Sequence, residues 1–107
     1  MQKRIDHRKD ERYPAVFEIT LSTKRGMLQA KTINLSLGGA RVWVFDSSVP
    51  RLNSELRTSV FFPGAGRADS TAKVVWISGH ELGLAFTGPA SPRLLAYTQL
   101  EAKRAAS

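Results

Sequence analysis

The stretch NLSLGGARVWVF, residues 34–45, places a turn directly before a strand. Its first half contains Asn, Ser and two glycines, which build turns because Asn and Ser side chains bond nearby backbone groups and glycine accepts positive φ. Its second half, from Ala40 to Phe45, is rich in β-branched and aromatic residues, which favour strands. The stretch therefore predicts a loop that opens a β-strand.

The same alternation of strands and turns extends on both sides of this stretch. Phe17, Ile19 and Leu21 alternate with polar residues, as is typical of a half-buried strand. Further strands are predicted over about residues 27–33, 57–62, 70–78 and 82–86, with turns at residues 24–26, 63–66 and 79–80. Six short strands of this kind predict an all-β fold, an antiparallel barrel or a sandwich, because closure removes exposed sheet edges.

The end of the chain changes to a helical pattern. Ser91 is a suitable N-cap, Pro92 fits the first helical position, and apolar residues follow with helical spacing. We therefore expect three segments: a flexible basic N-terminal arm over residues 1–12, a barrel with a C-terminal helix over residues 13–104, and a disordered tail over residues 105–107.

Composition limits the classes of function. The chain has 107 residues, with 16 Lys and Arg against 9 Asp and Glu, so its formal charge is +7 and one domain is expected. This surplus favours an anionic partner: nucleic acid, a phosphorylated small molecule, an acidic protein or an anionic lipid. Cysteine is absent, which excludes disulfides, thiolate metal sites and a Cys nucleophile. No run approaches the roughly 20 apolar residues of a membrane span, so we expect a cytoplasmic protein without membrane insertion.

Catalytic patterns are lacking in the sequence. The two histidines, His7 and His80, have no evident partner, and no HExxH, GxSxG or Walker pattern occurs. We therefore expect neither an enzyme nor a bound metal or cofactor.

Two local features can carry binding chemistry. Arg8 and Arg12 are four positions apart just before the first strand, and Asn34, Ser36 and Gly39 lie in the loop described above. Arginine binds phosphate bidentately, pairs with the O6 and N7 edge of guanine and stacks on purines. The loop could present Asn and Ser to a base edge, with glycines allowing close approach. Each feature also fits a plainer interpretation, a solvated charge run and an ordinary turn.

Together these features resemble the RxxxR and [D/N]xSxxG signature of the PilZ domain family. The order and spacing match, and Val74-Val75-Trp76 followed by Leu82-Gly83-Leu84-Ala85-Phe86 is similar to the family's later strands. The resemblance covers nearly the whole chain. It implies a six-stranded antiparallel β-barrel followed by a helix, acting as a receptor for the bacterial second messenger cyclic di-GMP.

The resemblance also implies roles for individual residues. Arg8 and Arg12 would contact phosphates and guanine faces or edges, while Asn34 and Ser36 would bond a guanine edge. Gly39 would give clearance, and Gly38 would help to shape the loop. Trp76 matches a position at which some members place an aromatic residue near the base; a place in the barrel core is the alternative. Possible auxiliary residues are Arg4, His7 and Lys9.

The sequence departs from the usual family pattern at two positions. Asn34 replaces the commoner Asp, which removes a charge that would strengthen bonds to guanine. His7 precedes the first motif arginine, at a position associated with ligand stoichiometry, and leaves open whether one or two molecules bind.

The module could instead bind only proteins, with its motifs purely structural. Non-specific nucleic-acid binding is disfavoured because the basic residues are spread along the chain. Both the cyclic di-GMP receptor and the protein-binding module are expected to act on a downstream partner protein.

Overall fold

The computed structural model describes residues 13–14, 16–46, 48–89 and 91–106. The strands in these ranges are β1 (Tyr13–Pro14), β2 (Glu18–Thr23), β3 (Gly26–Leu35), β4 (Gly39–Val44), β5 (Glu55–Phe62), β6 (Gly66–Ser78) and β7 (Glu81–Thr87). One helix, α1 (Pro92–Ala106), follows them.

Six of the described strands close into a barrel. The order of neighbours is β3-β2-β5-β6-β7-β4, and β4 pairs back onto β3, with every pairing antiparallel. The predicted six-stranded antiparallel barrel with a C-terminal helix is thereby confirmed, and the sandwich is excluded. The short strand β1 is an addition that the sequence did not predict as a separate strand: Tyr13 lies opposite Leu35 and Pro14 opposite Asn34.

The barrel interior is filled by the inward-facing half of each alternating strand. Ile19, Leu21, Val42, Leu82 and Leu84 are completely buried, as the period-two pattern requires when one face of a sheet meets the core. The helix joins this core through its own buried leucine, Leu94.

An aromatic cluster packs the helix against the barrel. Phe17 meets Phe62 edge-on at a centroid distance of 4.9 Å, and Tyr97 of α1 lies 5.4 Å from each of these rings. Offset and edge-on arrangements of this kind are the favoured ones for aromatic rings. The cluster therefore fixes the position of α1 on the barrel.

The strand ends differ from the predicted ones at several points. The predicted turns at Gly26 and Gly79 are confirmed, and both glycines have positive φ, 131° and 62°. Strand β6 begins at Gly66, earlier than the predicted residue 70, because its first residues continue the ladder with β5 as far as Phe62. The helix reaches Ala106, and so includes two residues of the segment that we expected to be a disordered tail.

Two β-bulges interrupt the alternation. In β3 the pairing with β4 skips from Thr32 to Asn34, and in β6 the pairing with β7 skips from Val74 to Trp76. A bulge adds one residue to a strand and re-aims the side chain that follows it. Thr32 and Val74 point into the core, so strict alternation would have pointed Asn34 and Trp76 inward as well. The bulges turn both of these residues to the outside.

Candidate functional site

The two re-aimed residues belong to one row across the outer face of the barrel. Asn34 lies opposite Arg41, Arg41 lies opposite Gly83, and Gly83 lies opposite Trp76. Directly opposed residues share a face of the sheet, and the neighbours of these residues along the strands, including Leu35, Val42 and Leu84, are buried. We call Asn34, Arg41, Gly83 and Trp76 the outer row.

Trp76 lies on the barrel surface and is not a core residue. It is half-buried, and its indole packs on Gly83: a Cβ placed on that glycine would overlap the indole atoms Nε1, Cδ1 and Cε2. A glycine inside a strand commonly marks a place where another group approaches the backbone closely. The alternative in which Trp76 fills the barrel core is therefore excluded.

Arg41 connects the two ends of the row. Its backbone N–H donates to Oδ1 of Asn34 at 3.2 Å, and its guanidinium carbon lies 5.8 Å from the centroid of the Trp76 ring. The guanidinium also pairs with Glu81, where Nε and Nη2 both reach Oε1, at 2.7 Å and 2.5 Å. The row thus combines an amide, a guanidinium and a half-buried aromatic ring, which are the groups that recognise base edges and base faces.

Ser36 holds the turn that follows β3. Its side chain is 1% exposed, and its Oγ accepts hydrogen bonds from the backbone N–H groups of Gly38 and Gly39, at 3.2 Å and 3.1 Å. The same hydroxyl lies 3.2 Å from the Gly39 carbonyl oxygen, to which it donates. In this structure Ser36 therefore shapes the loop, and its contact with a base edge stays a prediction.

The two glycines of the loop lie against β7. A Cβ on Gly39 would fall on the carbonyl oxygen of Leu84, so no larger residue fits there without a backbone shift. The Gly38 carbonyl accepts a hydrogen bond from the N–H of Phe86 at 2.8 Å. In this structure Gly39 accommodates the neighbouring strand, and its predicted role in giving clearance to a ligand stays a prediction.

The arginine motif lies outside the described residues. This applies to Arg8 and Arg12 and to the possible auxiliary residues Arg4, His7 and Lys9. The described residue nearest to the motif is Tyr13, which follows Arg12 in sequence and pairs with Leu35 next to Asn34.

Three residues of this region did not emerge from the sequence as site candidates: Arg41, Gly83 and Glu81. Two signals could have pointed to them. Gly83 interrupts the run of apolar residues in β7, and Arg41 occupies an outward position two residues after Gly39. Their meeting with Trp76 depends on cross-strand register, which the sequence does not display.

The outer row is an open surface. Two clefts of about 560 and 690 Å³ lie elsewhere, one between β6 and the start of α1 and one between Phe17, Phe61 and Phe62, and no residue of the outer row lines either of them. A ligand on the row would therefore contact the barrel from one side only.

His80 and the metal-ligating residue types were the remaining candidates for chemistry among the described residues. His80 stacks on Trp43 at 5.1 Å, and its Nδ1 lies 2.9 Å from the Val44 carbonyl oxygen, so the ring has structural partners that the sequence did not reveal. No group of three or more His, Cys, Asp or Glu in the described ranges is placed to hold a metal ion.

Within the described ranges, no helix is both long and apolar enough to cross a bilayer.

The closed six-stranded antiparallel barrel with a C-terminal helix places the described residues among the β-barrel domains. Within that class, the chain belongs to the PilZ domain family, whose model matches residues 6–100. Family membership, predicted from the motifs, is thereby confirmed.

Solved structures of low sequence identity share this fold. The inhibitor of motility MotI/DgrA of Bacillus subtilis superposes with a TM-score of 0.79 at 22% identity, over 97% of this chain and 54% of that one. The PilZ domain of YcgR from Escherichia coli, in a structure with c-di-GMP, gives a TM-score of 0.74 at 17% identity, over 94% of this chain and 95% of that one. A PilZ domain of CeSA from a cellulose-synthesizing bacterium gives 0.62 at 17% identity, over 74% and 82%.

The chain thus spans about half the length of MotI/DgrA. No curated protein matches it by sequence.

Proposed function

We propose that this chain is a receptor module for cyclic di-GMP, which binds across the outer row and the N-terminal RxxxR segment and passes the signal to a partner protein. The observation that carries the proposal is the pair of bulges that turn Asn34 and Trp76 outward onto one face. Membership in the PilZ family and the fold shared with the c-di-GMP complex of YcgR support the choice of ligand.

The outer row offers contacts for one guanine base of cyclic di-GMP. Cyclic di-GMP offers guanine bases and phosphates. An indole face can stack a base, and the amide of Asn34 can bond a base edge. The row is open, so a ligand held there needs further contacts from another segment.

The RxxxR segment can supply those contacts. Arg12 is joined directly to Tyr13, which pairs with Leu35 beside Asn34. Arg12 is therefore one peptide bond from a residue that pairs beside Asn34, which would put it within reach of the row. We infer that Arg8 and Arg12 close over the ligand and bind its phosphates and a guanine, and that this ordering of the arm changes the surface that a partner meets.

The expected affinity follows from the bonds involved. Each charge-assisted hydrogen bond contributes about 1.5 to 3 kcal/mol. Three or four of them total about 4.5 to 12 kcal/mol before the cost of ordering a charged segment, and the upper part of that range reaches a dissociation constant of about 1 μM or lower.

A thermal-shift series tests the proposal. Cyclic di-GMP at about 100 times its dissociation constant should stabilise the folded state by about 2.7 kcal/mol, and GMP at the same concentration should have a much smaller effect. Equal shifts with both nucleotides would argue against a dedicated site. No shift with either nucleotide would favour the alternative, a PilZ-fold module that binds only proteins.

A further inference from the structure

We infer that Arg41 reads the O6 and N7 edge of a guanine stacked on Trp76, and that Glu81 competes with the base for the donors of Arg41. The inference rests on the proposed function, because it assigns roles inside the same site. Neither residue belongs to the RxxxR or NxSxxG pattern.

Arg41 lies in the middle of the outer row. Its neighbours in the outer row are Asn34 on one side and Gly83 on the other, and the guanidinium carbon is 5.8 Å from the centroid of the Trp76 ring. Gly83 packs against the indole, and Trp76 is only half-buried, so part of the ring beside the guanidinium remains accessible to a ligand. A base stacked there has its edge within reach of the guanidinium.

The guanidinium donors of Arg41 match the acceptors of a guanine edge. Guanine presents two neighbouring acceptors, O6 and N7, and arginine bonds both at once. Adenine presents N7 beside an amino group, which repels the same donors. Arg41 would therefore distinguish guanine from adenine, whereas the indole stacks either base.

Glu81 engages the same guanidinium. Its Oε1 accepts a hydrogen bond from Nε of Arg41 at 2.7 Å and lies 2.5 Å from Nη2, so it occupies the edge of the guanidinium that a base would use. The pair is partly solvated, with 44% of the Arg41 side chain and 25% of the Glu81 side chain exposed. Exposed ion pairs are weak, so a ligand can take over the guanidinium at a modest cost. Glu81 therefore lowers the affinity of the site.

Two substitutions test these roles in titrations of the full chain with cyclic di-GMP and cyclic di-AMP. Arg41→Met keeps most of the aliphatic stem; it should weaken cyclic di-GMP binding by about 10- to 100-fold and leave cyclic di-AMP binding nearly unchanged. Glu81→Gln keeps a side-chain oxygen; it should tighten cyclic di-GMP binding by about two- to fivefold, because the guanidinium is released.

A second ion pair provides the matched control. Arg67 and Asp69 also form an exposed arginine–carboxylate pair, at 3.1 Å, and Arg67 is nine residues before Trp76 in β6, or about 30 Å along the strand. Arg67→Met and Asp69→Asn should leave both affinities at the wild-type value. Far-UV circular dichroism and melting curves of each variant show that the fold is retained.

The outcomes separate this inference from the proposed function. If the wild type binds cyclic di-GMP but Arg41→Met keeps that affinity, or loses affinity for both dinucleotides equally, the base-reading role of Arg41 is wrong. If Glu81→Gln weakens binding or leaves it unchanged, Glu81 is not a competitor. If the wild type binds no cyclic dinucleotide at all, the proposed function fails together with this inference.

Discussion

The indole of Trp76 packs directly on Gly83, its cross-strand neighbour in β7. A Cβ at position 83 would overlap the five-membered ring of that indole. Trp76, the only aromatic residue in the outer row, can therefore take its place only because glycine has no side chain.

Gly83→Ala should displace the indole from the barrel surface. We expect a change in the tryptophan emission spectrum and a loss of about 10-fold in cyclic di-GMP affinity, because base stacking on an aromatic side chain is worth about 1 to 3 kcal/mol. Gly64→Ala is the control: its Cβ meets nothing within 4 Å, and because its φ of 74° disfavours a side chain it should lower stability but leave the emission spectrum and the affinity unchanged. An unchanged emission spectrum and unchanged affinity in Gly83→Ala would show that the indole does not need this position.

Gly39→Ala should destabilise the barrel. The added Cβ falls on the backbone carbonyl of Leu84, which cannot rotate away as a flexible side chain would. We expect a loss of about 2 kcal/mol in the free energy of unfolding, with a fall of about 8 to 16 °C in Tm for a domain of this size. Chemical denaturation measures the loss, and a variant as stable as the wild type would contradict the packing of β4 against β7.

Ser36→Ala should also lower stability, for a different reason. The substitution leaves the backbone N–H of Gly39 without its buried acceptor, at an expected cost of about 1 to 2 kcal/mol. Ser54→Ala removes an exposed hydroxyl that donates to the Arg51 carbonyl and should cost less than about 0.5 kcal/mol. If both variants unfold at the same denaturant concentration, Ser36 does not hold the turn.

Asn34→Asp should tighten the binding of cyclic di-GMP. A carboxylate keeps an acceptor for the Arg41 N–H and accepts stronger bonds from guanine N1 and N2 than an amide does. Charge-assisted bonds exceed neutral ones by roughly 1 kcal/mol, or about fivefold in affinity. Calorimetry compares the two proteins; weaker binding by the aspartate variant would mean that residue 34 does not face a guanine donor.

Much of the fold could be predicted because the core repeats with period two. Ile19 and Leu21 in β2, like Leu82 and Leu84 in β7, alternate with outward residues and are all buried as expected. Turns with glycine at positive φ, at Gly26 and Gly79, fixed the strand ends nearby.

The site was only partly predictable, because its geometry depends on departures from that period. Strict alternation favours an inward Trp76, and the bulge between Val74 and Trp76 reverses this direction. The partnership of Arg41 with Glu81 joins residues 40 positions apart through the register of β4 and β7. Neither the bulge nor the register has a local sequence signal as strong as alternation.

Isothermal titration of the wild-type chain and of Arg12→Ala with cyclic di-GMP tests whether this chain is a receptor that uses its RxxxR segment. We expect saturable heat for the wild type with a dissociation constant of about 1 μM or lower, and loss of most of this affinity in Arg12→Ala. Absence of heat and of any thermal shift with ligand in about 100-fold excess over the protein, or wild-type affinity in Arg12→Ala, would contradict this proposal.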